Sequence, residues 1–224
     1  MIVEQDVPAL QRWIEDAAAG NVSLQRGEST PWTTFYAEYR DASTAVRARV
    51  DDAFRALRTS MDVDVRYAVV SHWFEAEHTT GFTELRRLLT ENAALYDAQE
   101  VVGSSQTLRA RLLGGLAAQA NGDAARDLLL RHVHDVAVVP PRVGIYLGRL
   151  GADTTEALVR LRPDVGATRA VKEAGYELHR DSAVWADVMA RSANWPAPLR
   201  DALIEGGEDH RSSFGGAATT DAAR

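Results

Sequence analysis

Apolar positions recur along most of this chain at three- and four-residue intervals, the spacing of a buried helical stripe. Asp6 ahead of Val7 and Pro8 predicts a capped start, and the pattern of PALQRWIEDAAAG runs to Gly20. A polar stretch, NVSLQRGEST, reads as a loop, and Thr30 with Pro31 predicts a second start. Within that second helix Trp32, Phe35, Tyr36 and Tyr39 fall at i, i+3, i+4 and i+7, so four aromatic side chains share one face. From Ser43 to Arg58 the same spacing continues through Val46, Val50, Ala53, Phe54 and Leu57. Then Asp62 or Asp64 caps a helix whose stripe is Val65, Val69, Trp73 and Ala76. Past HTTG, a partner helix carries Phe82, Leu85, Leu88 and Leu89, with Leu95 or Tyr96 extending it.

Further on, VVGSSQ turns the chain into a helix with Leu108, Leu112, Leu113 and Leu116, and NGD at 121–123 separates it from one with Leu128, Leu129 and Leu130. Pro140 and Pro141 precede RVGIYLGRLG, and ADTTEALVRLRPD supplies another short helix. The segment 166–195 reads as helical with a break near Gly175, followed by a short helix from Leu199 to Glu205. Only VAVVPP has β-like character, and two prolines with no alternating partner argue against a strand there. The expected class is therefore all-α. Residues 1–205 form the helical domain, and 206–224, rich in Gly, Ser, Thr and Ala, form a flexible C-terminal tail.

The pieces VDVRYAVVSHW, QTLRARLLGGL and PPRVGIYLGRL each open a helix with an arginine (Arg66, Arg109, Arg142) and continue with small and aliphatic residues. A second helix bearing leucines follows each. Helix pairs recurring at roughly 30 to 45 residues mark an α-solenoid, in which stacking builds the continuous core that no single pair can bury. The stretch SMDVDVRYAVVSHWFEAEHTTGFTELRRLLTENA resembles a HEAT-type, armadillo-like repeat, best over 60–95 and extending in degenerate form to 161. That resemblance implies a superhelix of antiparallel helix pairs that binds other macromolecules on its concave surface.

Composition narrows the chemistry. The 224 residues are 46% hydrophobic and carry a formal charge of −7, so the summed field repels phosphate backbones and disfavours nucleic acid as a partner. Cysteine is absent, which removes disulfides, thiolate metal sites and a cysteine nucleophile together. The start MIVEQDVPALQRW has neither a basic leader nor a long apolar core, and no apolar run approaches a membrane span of ~18 residues. The default expectation is a cytoplasmic protein without a membrane partner.

Candidate catalytic and metal positions are thin. His72, Glu75 and His78 include one Glu-x-x-His element, but a carboxylate-bridged di-metal site needs a second, and none occurs. His72 also lies on the apolar stripe, where an imidazole is ordinarily structural. His132 and His134, two apart, diverge on a continuous helix and suit its C-terminal end. The cluster YELHRD at 176–181, with His179, reads as a solvated face of ion pairs. No phosphate loop, nucleophile elbow or zinc-helix motif is present, so no catalytic residue, cofactor or metal is assigned.

The feature singled out is the aromatic face of Trp32, Phe35, Tyr36 and Tyr39, read either as the packing face of an N-terminal helix or as a protein interface. The expected function is a non-enzymatic protein-binding scaffold, one version being an immunity-type protein that neutralises a basic toxin. An enzyme on the same scaffold, such as a DNA-base glycosylase, is the alternative that the acidic charge disfavours. Assembly of copies through the aromatic face is a third.

Overall fold

Short polar side chains open several helices of the computed structural model, which describes residues 1–22, 30–75, 80–96 and 107–215. The Asp6 carboxylate accepts the Ala9 N–H at 2.9 Å and starts α1, Val7–Ala18. Thr30 Oγ1 accepts from Thr33 N–H at 3.2 Å and starts α2, Pro31–Asp41; Ser43 does the same for α3, Thr44–Ala56. At the next junction Asp62, rather than Asp64, is the cap: its Oδ1 accepts from the N–H of Asp64 at 2.8 Å and of Val65 at 3.3 Å. It opens α4, Val63–Glu75, which is followed by α5, Gly81–Glu91, the single turn α6, Ala93–Tyr96, and α7, Leu108–Gln119. The remaining helices are α8, Asp123–His132; α9, Pro141–Leu150; α10, Ala152–Leu161; α11, Thr168–Leu178; α12, Ser182–Arg191; and α13, Ala197–Gly215. The described residues contain no strand and no helix long and apolar enough to cross a membrane. The loop before Thr30 and the turn VVGSSQ fall largely or wholly outside them.

The chain divides into two compact units, Met1–Leu112 and Leu113–Arg224, with the boundary inside α7. In the first, α1 packs on α3 and α4, and α4 packs on α5. Leu10, Ile14, Phe35, Val50, Phe54, Val69, Trp73, Leu85 and Leu89 form its core. Each such side chain, fully buried, contributes about 1.5–3 kcal/mol against exposure. The arginines that open two of the expected repeats are buried here: Arg66 donates to the Ser60 carbonyl at 2.5 Å and Arg109 to the Ala93 carbonyl at 3.4 Å. Arg142, the third of the series, is exposed.

The second unit is organised by glycine. α11 packs against α9 on one side and α13 on the other, while α10 packs on α9 and α12. A Cβ on Gly144 of α9 would overlap the Ala170 carbonyl of α11, and one on Gly148 would stand 2.8 Å from the Ala174 Cα. Backbones come this close only where the side chain is a hydrogen. Gly175 serves the same end, since a Cβ there would overlap the Leu203 carbonyl of α13. The helix break expected near Gly175 therefore lies later, at His179–Asp181, where Asp181 accepts from Ala183 and Val184 N–H to cap α12. Likewise α13 runs on through Gly206 and Gly207 to Gly215, past the Glu205 end expected from the sequence. Gly206 seats against the Lys172 carbonyl and Gly207 against the Trp185 ring, so this glycine pair is a contact surface within the helix. Residues 216–224 lie outside the described chain.

Two basic side chains fasten elements of the second unit together. Arg162 donates to the carbonyls of Val133 (2.7 Å), Val136 (2.6 Å) and Ala137 (3.1 Å) and forks onto Asp164, fastening the segment before α9 to the end of α10. Lys172 pairs with Glu205 at 2.5 Å and Asp209 at 2.9 Å, joining α11 to α13.

Candidate functional site

One stripe of α4 carries Asp64, Tyr67, Ala68, Ser71 and Glu75, at i, i+3, i+4, i+7 and i+11, and so presents acid, aromatic and hydroxyl groups along a single line. Opposite it α2 presents Trp32, Thr33, Tyr36, Ala37 and Arg40. With Ala18 and Thr30 these residues enclose an open cleft of about 520 Å³ within the first unit. Trp32 stands half-buried in its wall, its ring edge-on to Trp13 at 5.2 Å and tilted over Tyr36 at 6.2 Å.

Asp64, Glu75 and Arg40 have no side-chain ion pair among the described residues, which leaves two carboxylates against one guanidinium. The Ser71 hydroxyl oxygen is buried and has no hydrogen-bond partner there. Tyr36 meets the cleft with its acidity suppressed: burial first, then the charge of Glu75 and the neighbouring Tyr39, hold its pKa far above the ordinary tyrosine value. The phenol is therefore protonated at all physiological pH and acts as a donor.

Behind Tyr36 lies a buried polar chain. The Tyr36 hydroxyl is 3.5 Å from His72 Nδ1, and His72 Nε2 is 2.9 Å from Asp51 Oδ1, which also accepts the Tyr39 hydroxyl at 2.9 Å. With Nε2–H donating to the carboxylate, Nδ1 is left as the acceptor facing Tyr36. The His72 ring is fully buried and lies flat on Phe54, centroids 3.9 Å apart and planes within 4°. Burial and Asp51 also raise Tyr39 well above the usual tyrosine range. The wall of the cleft is thus joined to the core by hydrogen bonds and ring stacking.

The four aromatics expected to share one face divide in role. Phe35 and Tyr39 are in the core, Tyr36 is buried with part of its surface on the cleft, and Trp32 lines the cleft. His72 is buried in the core, while Glu75, about 60° round the same helix and one turn on, is exposed and lines the cleft; His78 lies outside the described residues. No cluster of three or more metal-ligating side chains occurs among the described residues. α8 ends at His132, so the divergence expected of a continuous helix does not hold, and His132 and His134 both turn to Asp135, at 3.4 and 2.7 Å. In the 176–181 cluster Glu177 pairs with Arg149 and Arg180, Asp181 is a helix cap, and His179 Nδ1 meets His210 Nδ1 at 3.2 Å. Sequence reasoning took Asp64 only as a possible helix cap and passed over Tyr67 and Ser71; their spacing with Glu75 was the available signal. It also missed Asp51, whose partners are remote in sequence.

No protein-family model, no curated protein and no solved structure matches this chain.

Proposed function

We propose that the chain is a protein-binding module built on a degenerate, HEAT-like stack of helix pairs. The observation that carries this is the cleft itself: open, aromatic-walled, and lined by two carboxylates that have no side-chain ion pair among the described residues. Charged groups left without a protein partner at a concave surface favour a ligand of complementary charge. Seventeen acidic against twelve basic side chains fall within residues 1–112, so most of the acidic excess belongs to the unit with the cleft. Such a field steers encounter with a basic partner, as an immunity-type protein requires toward a toxin. For the repeat reading, the support is that α9, α11 and α13 begin at Pro141, Thr168 and Ala197, close to every ~30 residues, with α10 and α12 between them.

Native mass spectrometry on tagged protein gently purified from its own cells tests the proposal. A stoichiometric adduct with a second, basic protein is the expected result. A bare chain at concentrations that preserve other complexes, or an adduct with nucleic acid, contradicts it. The enzymatic alternative draws on the same aromatic and acidic groups, which would also suit an extruded base. It predicts release of free base from DNA, lost in Asp64→Asn and Glu75→Gln.

A further inference from the structure

We propose that the facing imidazoles of His179 and His210 form a proton-operated latch in the second unit: sharing one proton, they hold the end of α13 beyond Asp209 against α11 and α12, and a second proton releases it. The device does not involve the cleft and does not depend on the binding reading.

Hydrogen positions follow from the contacts. His179 Nδ1 and His210 Nδ1 stand 3.2 Å apart, so one must carry a proton and the other a lone pair. Arg211 decides which. Its Nη2 lies 3.5 Å from His179 Nε2, and a guanidinium only donates, so Nε2 holds the lone pair that faces it. His179 is then the Nδ1–H tautomer, while His210 accepts at Nδ1 and carries its own proton at Nε2. Two neutral rings satisfy every one of these contacts.

A further proton has no good place in this arrangement. On His179 it enters at Nε2, against the Arg211 guanidinium; on His210 it enters at Nδ1, against the His179 N–H. Either way donor meets donor. The groups around the pair offer no relief. From α12 comes the neutral Trp185 ring, 4.9 Å from His179, and from α11 the Tyr176 ring, edge-on to His210 at 5.0 Å and itself beneath the Arg180 guanidinium. Glu177 is committed to Arg149 and Arg180, Asp209 to Lys172, and Glu208 is exposed. No carboxylate among the described residues pairs with either imidazole. Burial first, then the charges of Arg211 and His210, hold the His179 pKa below its ordinary value, as suits a site built for the neutral ring. The latch is therefore closed above ~6.5, the unfolded histidine value, and opens as pH falls through the folded one.

The stem of α13 is held by other means. Gly175 seats against Leu203, Gly206 against the Lys172 carbonyl, and Lys172 pairs with Asp209, so the motion is confined to residues 210–215. Release frees Phe214, whose ring lies 4.9 Å from His210, and uncovers the side of Tyr176 that His210 covers.

The test uses the full chain, labelled with ¹⁵N and titrated between about pH 8 and about pH 5, across the histidine range. At the upper end the imidazole nitrogen spectrum should show a protonated Nδ1 on His179 and a protonated Nε2 on His210. Backbone order parameters of residues 210–214 should then fall from about 0.85 to below about 0.6 as the imidazoles titrate, while those of 198–205 stay high. In His179→Gln/His210→Gln, whose amides can hydrogen-bond to each other and do not titrate, the segment should keep its high values throughout. Both positions are only partly buried, so the variant leaves the core intact. Should it nonetheless fail to fold, the wild-type tautomers and titration decide alone. The opposite tautomers, unchanged order at about pH 5, equal loosening of 198–205, or undiminished loosening in the double variant overturns the proposal.

Discussion

The two units differ in how close helix contacts and open charged groups are distributed. In the second, helices meet backbone to backbone across glycine, and the contacts of Arg162 with three carbonyls and Asp164, of Arg149 with Glu177, and of Lys172 with Glu205 and Asp209 tie elements together. In the first, Arg66 and Arg109 also reach backbone carbonyls and the Asp51–His72–Tyr39 cluster is buried. What sets it apart is a cleft lined by Asp64, Glu75 and Arg40, which have no side-chain ion pair among the described residues. The contrast is between a unit joined by tight helix contacts and one that carries a charged concavity.

Close packing should make the second unit the less tolerant of added volume. Gly144→Val drives a side chain into the Ala170 carbonyl, and we expect a loss of about 3 kcal/mol or more, or failure to fold, read by urea unfolding. Gly20, with nothing within 4 Å of a Cβ, is the control for crowding; its φ of +74° adds a backbone cost of only ~1 kcal/mol to Gly20→Ala. Equal effects at the two positions would erase the distinction between crowded and open glycines.

For the first unit the sensitive point is polar. Asp51→Ala removes the acceptor that Tyr39 and His72 share inside the core, for an expected cost of about 3 kcal/mol. A combined Asp51→Ala/His72→Ala variant should cost clearly less than the sum of the singles, since the two belong to one network. Additivity would show that the chain of hydrogen bonds is not a unit.

Acid sensitivity is a finer feature of the second unit. His179, half-buried at the end of α11, has its pKa lowered by burial first and then by the charges of Arg211 and His210. The folded value lies below the unfolded one, near ~6.5, so its contribution is complete above that pH and is lost as pH falls through the folded value. Protection factors of the α13 amides around Gly207–Phe214, taken against the intrinsic exchange rate at each pH, should therefore decrease below about pH 6.5, and His179→Gln should flatten the change. Smallest of all, the Arg162 fork holds Asp164 at about 2, well under the usual aspartate range. Its stabilisation is present above the ordinary aspartate value and disappears as pH falls through about 2. Because Asp164 is half exposed, Asp164→Asn should alter the acid limb only slightly, as a carboxyl titration followed by NMR would show.

What could be read from the sequence follows from how local each cause is. The starts at Asp6, Thr30 and Asp62 or Asp64 were legible because a cap and its N–H partner sit within three residues. Gly175 and the Gly206–Gly207 pair were misleading because glycine also permits close approach, and what approaches, Leu203, Lys172 or Trp185, lies elsewhere in the chain. The aromatic quartet was visible as one face, yet a helical face is wide enough to split, so Phe35 and Tyr39 turn inward while Trp32 borders the cleft. Glu75 drew notice for its spacing to His78, when the informative spacing was backward, to Ser71, Tyr67 and Asp64.

A photo-crosslinking side chain at Ala37, an exposed position on the cleft rim, tests the central claim most directly. In the source cells it should yield one discrete adduct with a basic protein, and that adduct should vanish in the Asp64→Asn/Glu75→Gln variant while the chain remains folded. An adduct of undiminished yield in that variant, or none at all from the rim of an intact cleft, would contradict the account.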